Sequence, residues 1–376
     1  MSSPSVTGAP GPAVDRAGAD VATRLRVLVV DDSVVIRRML TNAIDADPAL
    51  RVVGTASNGR LALARLQSSP CDVVTLDVEM PEMTGLDALR EIRRLYPALP
   101  VLMCSSLTER GASETLEALS RGANDYIAKP TARSTGTFAT ELVDKLKVLG
   151  RSGRNVPSPA AVSRRPMVVP AGPLAPSEPA AAIAIGVSTG GPNALAEVIP
   201  RLPANLGAPV FIVQHMPPVF TKMLADRLTR AAALPVVEAR HGEEVKPGHV
   251  YIAPGDWHMV LVRDGARVNL SLNQEAPENS CRPAVDPLFR SFAAVYGATG
   301  LGVILTGMGK DGLHGCELIR SVGGRVLVQD EATSVVWGMP GIVAGAGLAE
   351  EIVALPDVAA AITRRTRLNR AGKEHR

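Results

Sequence analysis

Between residues 26 and 145, five short apolar runs alternate with five amphipathic stretches. RVLVV precedes VVIRRMLTNAI, RVVGTA precedes GRLALARLQ, CDVVTL precedes GLDALREIRRLY, PVLMCSS precedes ETLEALSRG, and NDYIA precedes FATELVDKLKVL. Runs this short and this apolar are buried on both faces, and parallel neighbours require a crossover helix. The alternation therefore requires a parallel sheet covered by helices on both sides. It stops at GRSGRNVPSPAAVSRRPMVVPAGPLAPSEPA, a Pro-, Ala- and Ser-rich stretch that cannot bury enough apolar surface to order itself. It resumes in AAIAIGVS, APVFIVQH and LGVILTG. Between the last two lies VVEARHGEEVKPGHVYIAPGDWHMVLVRDGARVNLSL, punctuated by Pro-Gly, Pro-Gly-Asp and Asp-Gly, which predicts an antiparallel insertion of hairpins. The expected layout is a tail over 1–25, one α/β domain over 26–145, a linker over 146–180, a second α/β domain over 181–363 and a basic tail over 364–376. A length of 376 residues suits two such domains.

The net charge of +3 invites a nucleic-acid reading until it is divided along the chain. Residues 26–145 carry 14 basic and 16 acidic side chains, and residues 181–363 carry 13 and 17. Both domains are mildly acidic, so the excess belongs to the linker and the tail, and no nucleic-acid partner is expected. Two Trp, four Tyr and five Phe are too few for a base-stacking platform. No uncharged apolar run approaches the roughly 18 residues of a membrane span, and Met1–Asp20 lacks the basic start and apolar stretch of a secretory signal. A cytoplasmic protein with no integral membrane segment is expected, and four cysteines without paired spacing suit reduced thiols.

In a sheet of this kind ligands sit beyond the carboxyl ends of the strands. Asp31 and Asp32 end the first strand of the first domain, Asp77 the third, Ser105 the fourth and Lys129, followed by Pro130, the fifth. Clustered carboxylates need a cation, and oxygen ligands without His or Cys favour Mg²⁺. One carboxylate beside a metal and a Lys suits phosphoryl transfer. A single Asp at a strand end is most often a turn residue, but this joint pattern resembles a response-regulator receiver domain across nearly all of 26–145. The resemblance implies a flavodoxin-like fold and Asp77 as phospho-acceptor. It also implies Mg²⁺ held by Asp32, Asp77 and the Glu79 carbonyl with Asp31 behind them, Ser105 and Lys129 as reporters of phosphorylation, and a sensor histidine kinase as donor.

In the second domain Ser188 follows AIAIGV and precedes Gly190-Gly191-Pro192, a sharp strand-to-helix turn that sets a hydroxyl beside free N–H groups at a positive helix end. His215 ends the next strand, and Asp311 follows LGVILT through Gly307-Met308-Gly309. Hydroxyl, imidazole and carboxylate on one sheet edge supply nucleophile, base and tautomer control. Gly186-Val187-Ser188-Thr189-Gly190 also fits G-x-S-x-G, whose Ser, acid, His order would need Asp256 or Asp286 with His314, inside a predicted helix start. The rival is a dinucleotide site: Gly307-x-Gly309-x-x-Gly312 follows a strand, and Asp330 ends the next one. Against this oxidoreductase alternative, only 46 residues follow Asp330, too few for a second nucleotide-binding half. A satisfied core histidine is the bland reading of His215 taken alone. His241, His249 and His258 are too widely spaced for a local zinc motif. Trp257 is expected to pack under the insertion or to line the site, and Arg282 to form a rim ion pair.

The motifs IGVSTGGP, FIVQHM, APGDWHM, RPAVDPLF and TGMGKDG, in this order behind a receiver and a linker, resemble the CheB family of chemotaxis protein-glutamate methylesterases over about 26–360. The sequence departs from many members at Ala284, where Ser is expected, and Cys281 beside Arg282 reads as tuning of substrate contacts. The resemblance implies a Rossmann-like second domain with an antiparallel hairpin insertion, so that the fold class is α/β with two doubly wound parallel sheets. It implies a Ser188–His215–Asp311 triad assisted by Thr189 and the Met308 N–H, with no cofactor for the esterase. The implied activity is phosphorylation-regulated hydrolysis of glutamate γ-methyl esters and deamidation of glutamines on methyl-accepting chemoreceptors.

Overall fold

The computed structural model of the chain describes residues 24–130, 135–154 and 178–367. The first domain runs β1 (Leu25–Val30), α1 (Val34–Asp45), β2 (Leu50–Ala56), α2 (Gly59–Ser68), β3 (Val73–Asp77), α3 (Gly85–Leu95), β4 (Val101–Ser105), α4 (Glu109–Ser120), β5 (Asp125–Ala128) and α5 (Thr135–Arg154). Its strands order as β2-β1-β3-β4-β5, all parallel, as the alternation requires. Ser33, Asn58, Thr84 and Thr108 cap the first four helices, each accepting from an N–H two or three residues into its helix.

Helix α5 corrects one expected boundary. It continues past 145 to Arg154 because Leu142, Leu146 and Leu149 recur at helical spacing and are buried against the β1 side of the sheet, while Lys147 reaches Asp47 at 2.6 Å. The expected linker from 146 therefore begins with helix, and its Pro-rich centre lies outside the described residues, as do the expected N-terminal tail as far as residue 23 and positions 368–376. The basic tail expected from 364 likewise begins inside a helix. Arg365 is 9% exposed, its guanidinium lies 2.8 Å from Glu350 and 2.6 Å from Glu351, and its carbonyl accepts from Ala180 N–H at 2.8 Å.

The second domain contains β6 (Ala182–Val187), α6 (Gly191–Val198), β7 (Val210–Gln214), α7 (Phe220–Ala231), β8 (Val236–Glu238), β9 (Val250–Ile252), β10 (His258–Asp264) and β11 (Arg267–Asn273). It continues through α8 (Val285–Tyr296), β12 (Gly300–Ile304), α9 (Leu313–Ser321), β13 (Arg325–Gln329), α10 (Met339–Gly345), β14 (Glu351–Val353) and α11 (Leu355–Arg367). Seven parallel strands order as β14-β13-β12-β6-β7-β9-β8. Among the named strands of the described residues the insertion forms one hairpin rather than several: β10 and β11 pair antiparallel, whereas β8 and β9 join the main sheet in parallel. Val250, Tyr251 and Ile252 are fully buried, and a strand apolar on both faces belongs inside a covered sheet.

The domains touch through α4 and β5 of the first and α6 and α7 of the second. Tyr126 stacks on Phe220 with ring centroids 4.8 Å apart, Arg227 donates to Leu116 O at 2.5 Å, and Asn193 donates to Ala123 O at 3.3 Å. Helices α6 and α7 are those that follow Ser188 and His215. A cavity of about 350 Å³ opens beside this contact, lined by Glu109 of α4 and by Val219, Lys222, Met223, Glu238 and Trp257 of the second domain. Among the described residues no helix is long and apolar enough to cross a membrane.

Candidate active site

Ser188 stands where β6 turns into α6. The turn is tight because Gly190 adopts φ 77° and a Cβ there would lie 2.7 Å from Val335. Its backbone is tied to the segment after β12 by Ser188 N–H to Thr306 O at 3.0 Å, and Thr306 Oγ1 donates to Thr189 O at 2.9 Å. Gly307 of the next loop is so close that a Cβ would approach Ser188 Cβ to 2.9 Å. Two buried glutamines knit the strand ends. Gln214 Nε2 donates to Ser188 O at 3.1 Å and His215 O at 3.2 Å, and Gln329 Oε1 accepts Thr306 N–H at 2.8 Å.

His215 Nε2 lies 2.8 Å from Asp311 Oδ2. Asp311 also accepts Val285 N–H at 2.6 Å on Oδ2, and on Oδ1 it accepts Asp286 N–H at 3.1 Å, Gly312 N–H at 2.9 Å and Asn279 Nδ2 at 3.0 Å. Ala284, the N-cap of α8, has no side chain to bond the first turn, and the carboxylate of Asp311 does so instead. Burial would raise the proton affinity of Asp311, but His215 and these N–H donors outweigh it and hold the carboxyl below its ordinary range. Burial likewise opposes charge on His215, and Asp311 together with Cys281 outweighs it, so the imidazole is raised. Nδ1 is the ring nitrogen left for a substrate-side proton, and Cys281 Sγ lies 3.4 Å from it. Thr189 is buried and Met308 half-buried in the same pair of turns.

The competing assignments separate clearly. His314 is exposed and pairs with Glu317 at 3.1 Å, away from Ser188, and Asp256 is bound by Arg282 at 2.6 Å, the rim ion pair expected of that arginine. Asp286 accepts Gly315 N–H at 2.7 Å and lies behind Asp311. The dinucleotide reading is overturned. Asp330 closes its own turn by accepting Thr333 N–H at 3.1 Å, and the space over Gly307 is filled by Met339 and Ser188. His258 is a core histidine, accepting Ala284 N–H at 3.2 Å, and Trp257, 39% exposed, lines the cavity. Sequence reasoning missed Asn279, Gln214 and Gln329 and gave Cys281 no place at the triad. Only the strand-end positions of the two glutamines offered a signal.

In the first domain Asp31, Asp32 and Asp77 bring carboxylate oxygens within 4.8 Å of one another. Lys129 Nζ lies 3.0 Å from Asp31 Oδ2 and 2.7 Å from Asp77 Oδ2. Glu79 N–H donates to Asp77 Oδ1 at 3.3 Å. Burial, opposed by Lys129 and reinforced by Asp31, pushes Asp77 up to about 6, and burial raises Asp31 too. Burial works against the Lys129 ammonium, but the two carboxylates raise it above its usual range. Two buried carboxylates and the exposed Asp32, an under-neutralised set of hard oxygens with no His or Cys, fit a divalent cation such as Mg²⁺. Ser105 Oγ, at the end of β4, donates to Gly111 O in the first turn of α4 at 3.0 Å.

The family model for the CheB methylesterase matches residues 183–362, and that for the response regulator receiver domain matches 27–139. The chain is 47% identical over 356 residues to a protein-glutamate methylesterase/protein-glutamine glutaminase of Trichodesmium erythraeum, covering 91% of this chain and 99% of that one. It is 48% identical over 351 residues to a protein of the same name from a Nocardioides species, covering 91% and 95%. The solved Thermotoga maritima CheB methylesterase catalytic domain is 44% identical, covers 49% of this chain and 98% of that one, and superposes with a TM-score of 0.49.

Proposed function

The chain belongs to the CheB methylesterase family, and from that premise we propose that Ser188, His215 and Asp311 carry out its hydrolysis of glutamate γ-methyl esters, and of specific glutamine amides, on chemoreceptors. The observation that carries the assignment is the 2.8 Å His215–Asp311 bond beside the Ser188 turn. Asp311 fixes Nε2 as the protonated nitrogen, so Nδ1 takes the Ser188 proton as Oγ attacks the side-chain carbonyl. The same proton leaves with methanol, or with ammonia from glutamine, and water then opens the acyl-enzyme with His215 again as base. Thr189 and the Met308 N–H assist at the developing oxyanion. Fluorophosphonate labelling and methanol release from methylated receptor membranes test this together. Both should vanish in Ser188→Ala, and turnover surviving that substitution overturns the triad.

Asp77 is the phospho-acceptor of the receiver, with a sensor histidine kinase as donor and the cytoplasm as the compartment. Asp32, Asp77 and the Glu79 carbonyl would hold Mg²⁺ with Asp31 beside them, and the ion when bound neutralises charge on the transferring phosphoryl group. Lys129 and Ser105 respond to the phosphorylated side chain. The unphosphorylated receiver restrains the esterase because its α4–β5 face rests on the helices leading from Ser188 and His215. Removal of residues 1–154 should raise basal methanol release, and an unchanged rate would refute the restraint.

A further inference from the structure

The turn Glu278–Cys281 folds back over the triad. Its ends pair, Glu278 N–H to Cys281 O at 3.1 Å and Cys281 N–H to Glu278 O at 2.9 Å, and its central residues are left-handed, Asn279 at φ 50° and Ser280 at φ 64°. Gly and Asn tolerate that backbone best. Arg290 anchors the turn from α8 through Glu278, at 2.7 and 2.5 Å. The outcome is a single amide between two carboxylates: Asn279 Nδ2 lies 3.0 Å from Asp311 Oδ1 and 3.0 Å from Asp286 Oδ2.

We propose that Asn279 is a positioning residue for the triad, its amide donating to Asp311 and Asp286 at once so that Asp311 stays aimed at His215 beside a second carboxylate. The inference rests on the triad reading. Two acidic groups this close repel, and burial with the neighbouring Asp311 already raises Asp286. The N–H groups at the starts of α8 and α9 serve each carboxylate separately, whereas among the described residues Asn279 alone bridges them. The other titratable groups around the pair are His215 on the β7 end, Glu278 neutralised by Arg290, Cys281 on the turn, and His314 and Cys316 on α9. Without the amide, both carboxyls gain proton affinity and Asp311 draws the imidazolium proton harder. Every one of these changes moves the acid limb of the rate profile to higher pH.

Asn279→Gly keeps a residue at ease with positive φ and deletes only the amide, while Asn279→Asp keeps the turn preference and sets a third carboxyl in its place. With the full chain on methylated receptor membranes, Asn279→Gly should lower kcat about tenfold, the effect of losing the charge-assisted hydrogen bond to Asp311, with KM within about twofold and the acid limb displaced upward. Asn279→Asp should go further in the same direction. Fluorophosphonate labelling of Ser188 across pH, without substrate, should slow in parallel. A parental pH profile and labelling rate in Asn279→Gly, or a change confined to KM, overturns the proposal. Ser188→Ala run alongside separates the two levels. If it is inactive while Asn279→Gly matches the parent, the positioning role alone falls, and if it turns over, the triad falls with it.

Discussion

At the carboxyl edge of its parallel sheet each domain sets a buried aspartate against a cationic or potentially cationic side chain, Asp77 at the end of β3 with Lys129 and Asp311 in the loop after β12 with His215. Their surroundings push them in opposite directions. Asp311 accepts three backbone N–H groups, an amide and the imidazole, and is held below its ordinary range. Asp77 has one long N–H contact and an ammonium shared with Asp31, and is pushed up to about 6. A carboxylate whose lone pairs are all engaged is an orienting group that does not itself react. One left with an under-used oxygen is available as a nucleophile and a cation ligand. The same residue type thus has two chemistries, decided by the number of donors around it.

The strongest way to break this comparison is to neutralise each carboxylate in turn. Asp311→Asn should lower kcat by about 10⁴-fold with the fold intact, because the amide favours the wrong imidazole tautomer. Asp77→Asn should leave basal methanol release near parental and abolish both phosphoryl labelling and activation by a phosphodonor. If Asp77→Asn damaged basal turnover as Asp311→Asn does, the two sites would not be separate machines.

The next effect is on pH. Asp77 must lose its proton to ligate a cation, so Mg²⁺ affinity should be full near pH 7.5 and fall about tenfold per unit once pH drops below about 6. The sign for folding is opposite. A carboxyl raised above its unfolded value adds stability that is complete below that value and is lost as pH rises through about 6. The metal-free receiver should therefore lose thermal stability across that interval, with a smaller loss in Asp77→Asn. Identical pH slopes in the two proteins would contradict the crowding of charge around Asp77.

How much of this was legible from the chain follows from what carries each feature. Both sheets and the positions of Ser188, His215, Asp311 and Asp77 were legible because strand ends are marked by the switch from apolar runs to Gly and Asp. Strand β9 was not, since three buried residues between two Pro-Gly turns read equally as a hairpin arm. The end of α5 was hidden because its last turns share a window with the Ala- and Pro-rich stretch that follows. Asn279 and Gln329 act through contacts that close only when distant segments meet. No period in the sequence marks a polar side chain whose partner lies 32 positions away, as for Asn279 and Asp311, or 23 away, as for Gln329 and Thr306.

A smaller effect tests how the domains communicate. The Tyr126–Phe220 stack is worth about 1 kcal/mol beyond its buried area, which corresponds to roughly a fivefold population shift. Tyr126→Ala should raise unstimulated esterase activity about that much and shrink the further gain from a phosphodonor. A basal rate at or below the parental one would place the restraint elsewhere in the α4–α7 contact.

The smallest expected change sharpens the comparison within the triad itself. The turn that sets Asn279 against Asp311 also sets Cys281 Sγ 3.4 Å from His215 Nδ1. A thiol is a weak donor, and in the proposed mechanism Nδ1 is released to Ser188 at each turnover, so this contact is not one that catalysis would hold throughout. Cys281→Ala should therefore change kcat by less than about threefold, within the roughly 0.6 kcal/mol expected of a weak neutral bond, and leave the acid limb nearly in place. Rate profiles of Cys281→Ala and Asn279→Gly measured side by side decide between the two contacts. Equal losses would shift the positioning role of the turn from the carboxylate to the imidazole, whereas a loss confined to Asn279→Gly locates it on Asp311, the group whose full set of donors distinguishes this site from the receiver's.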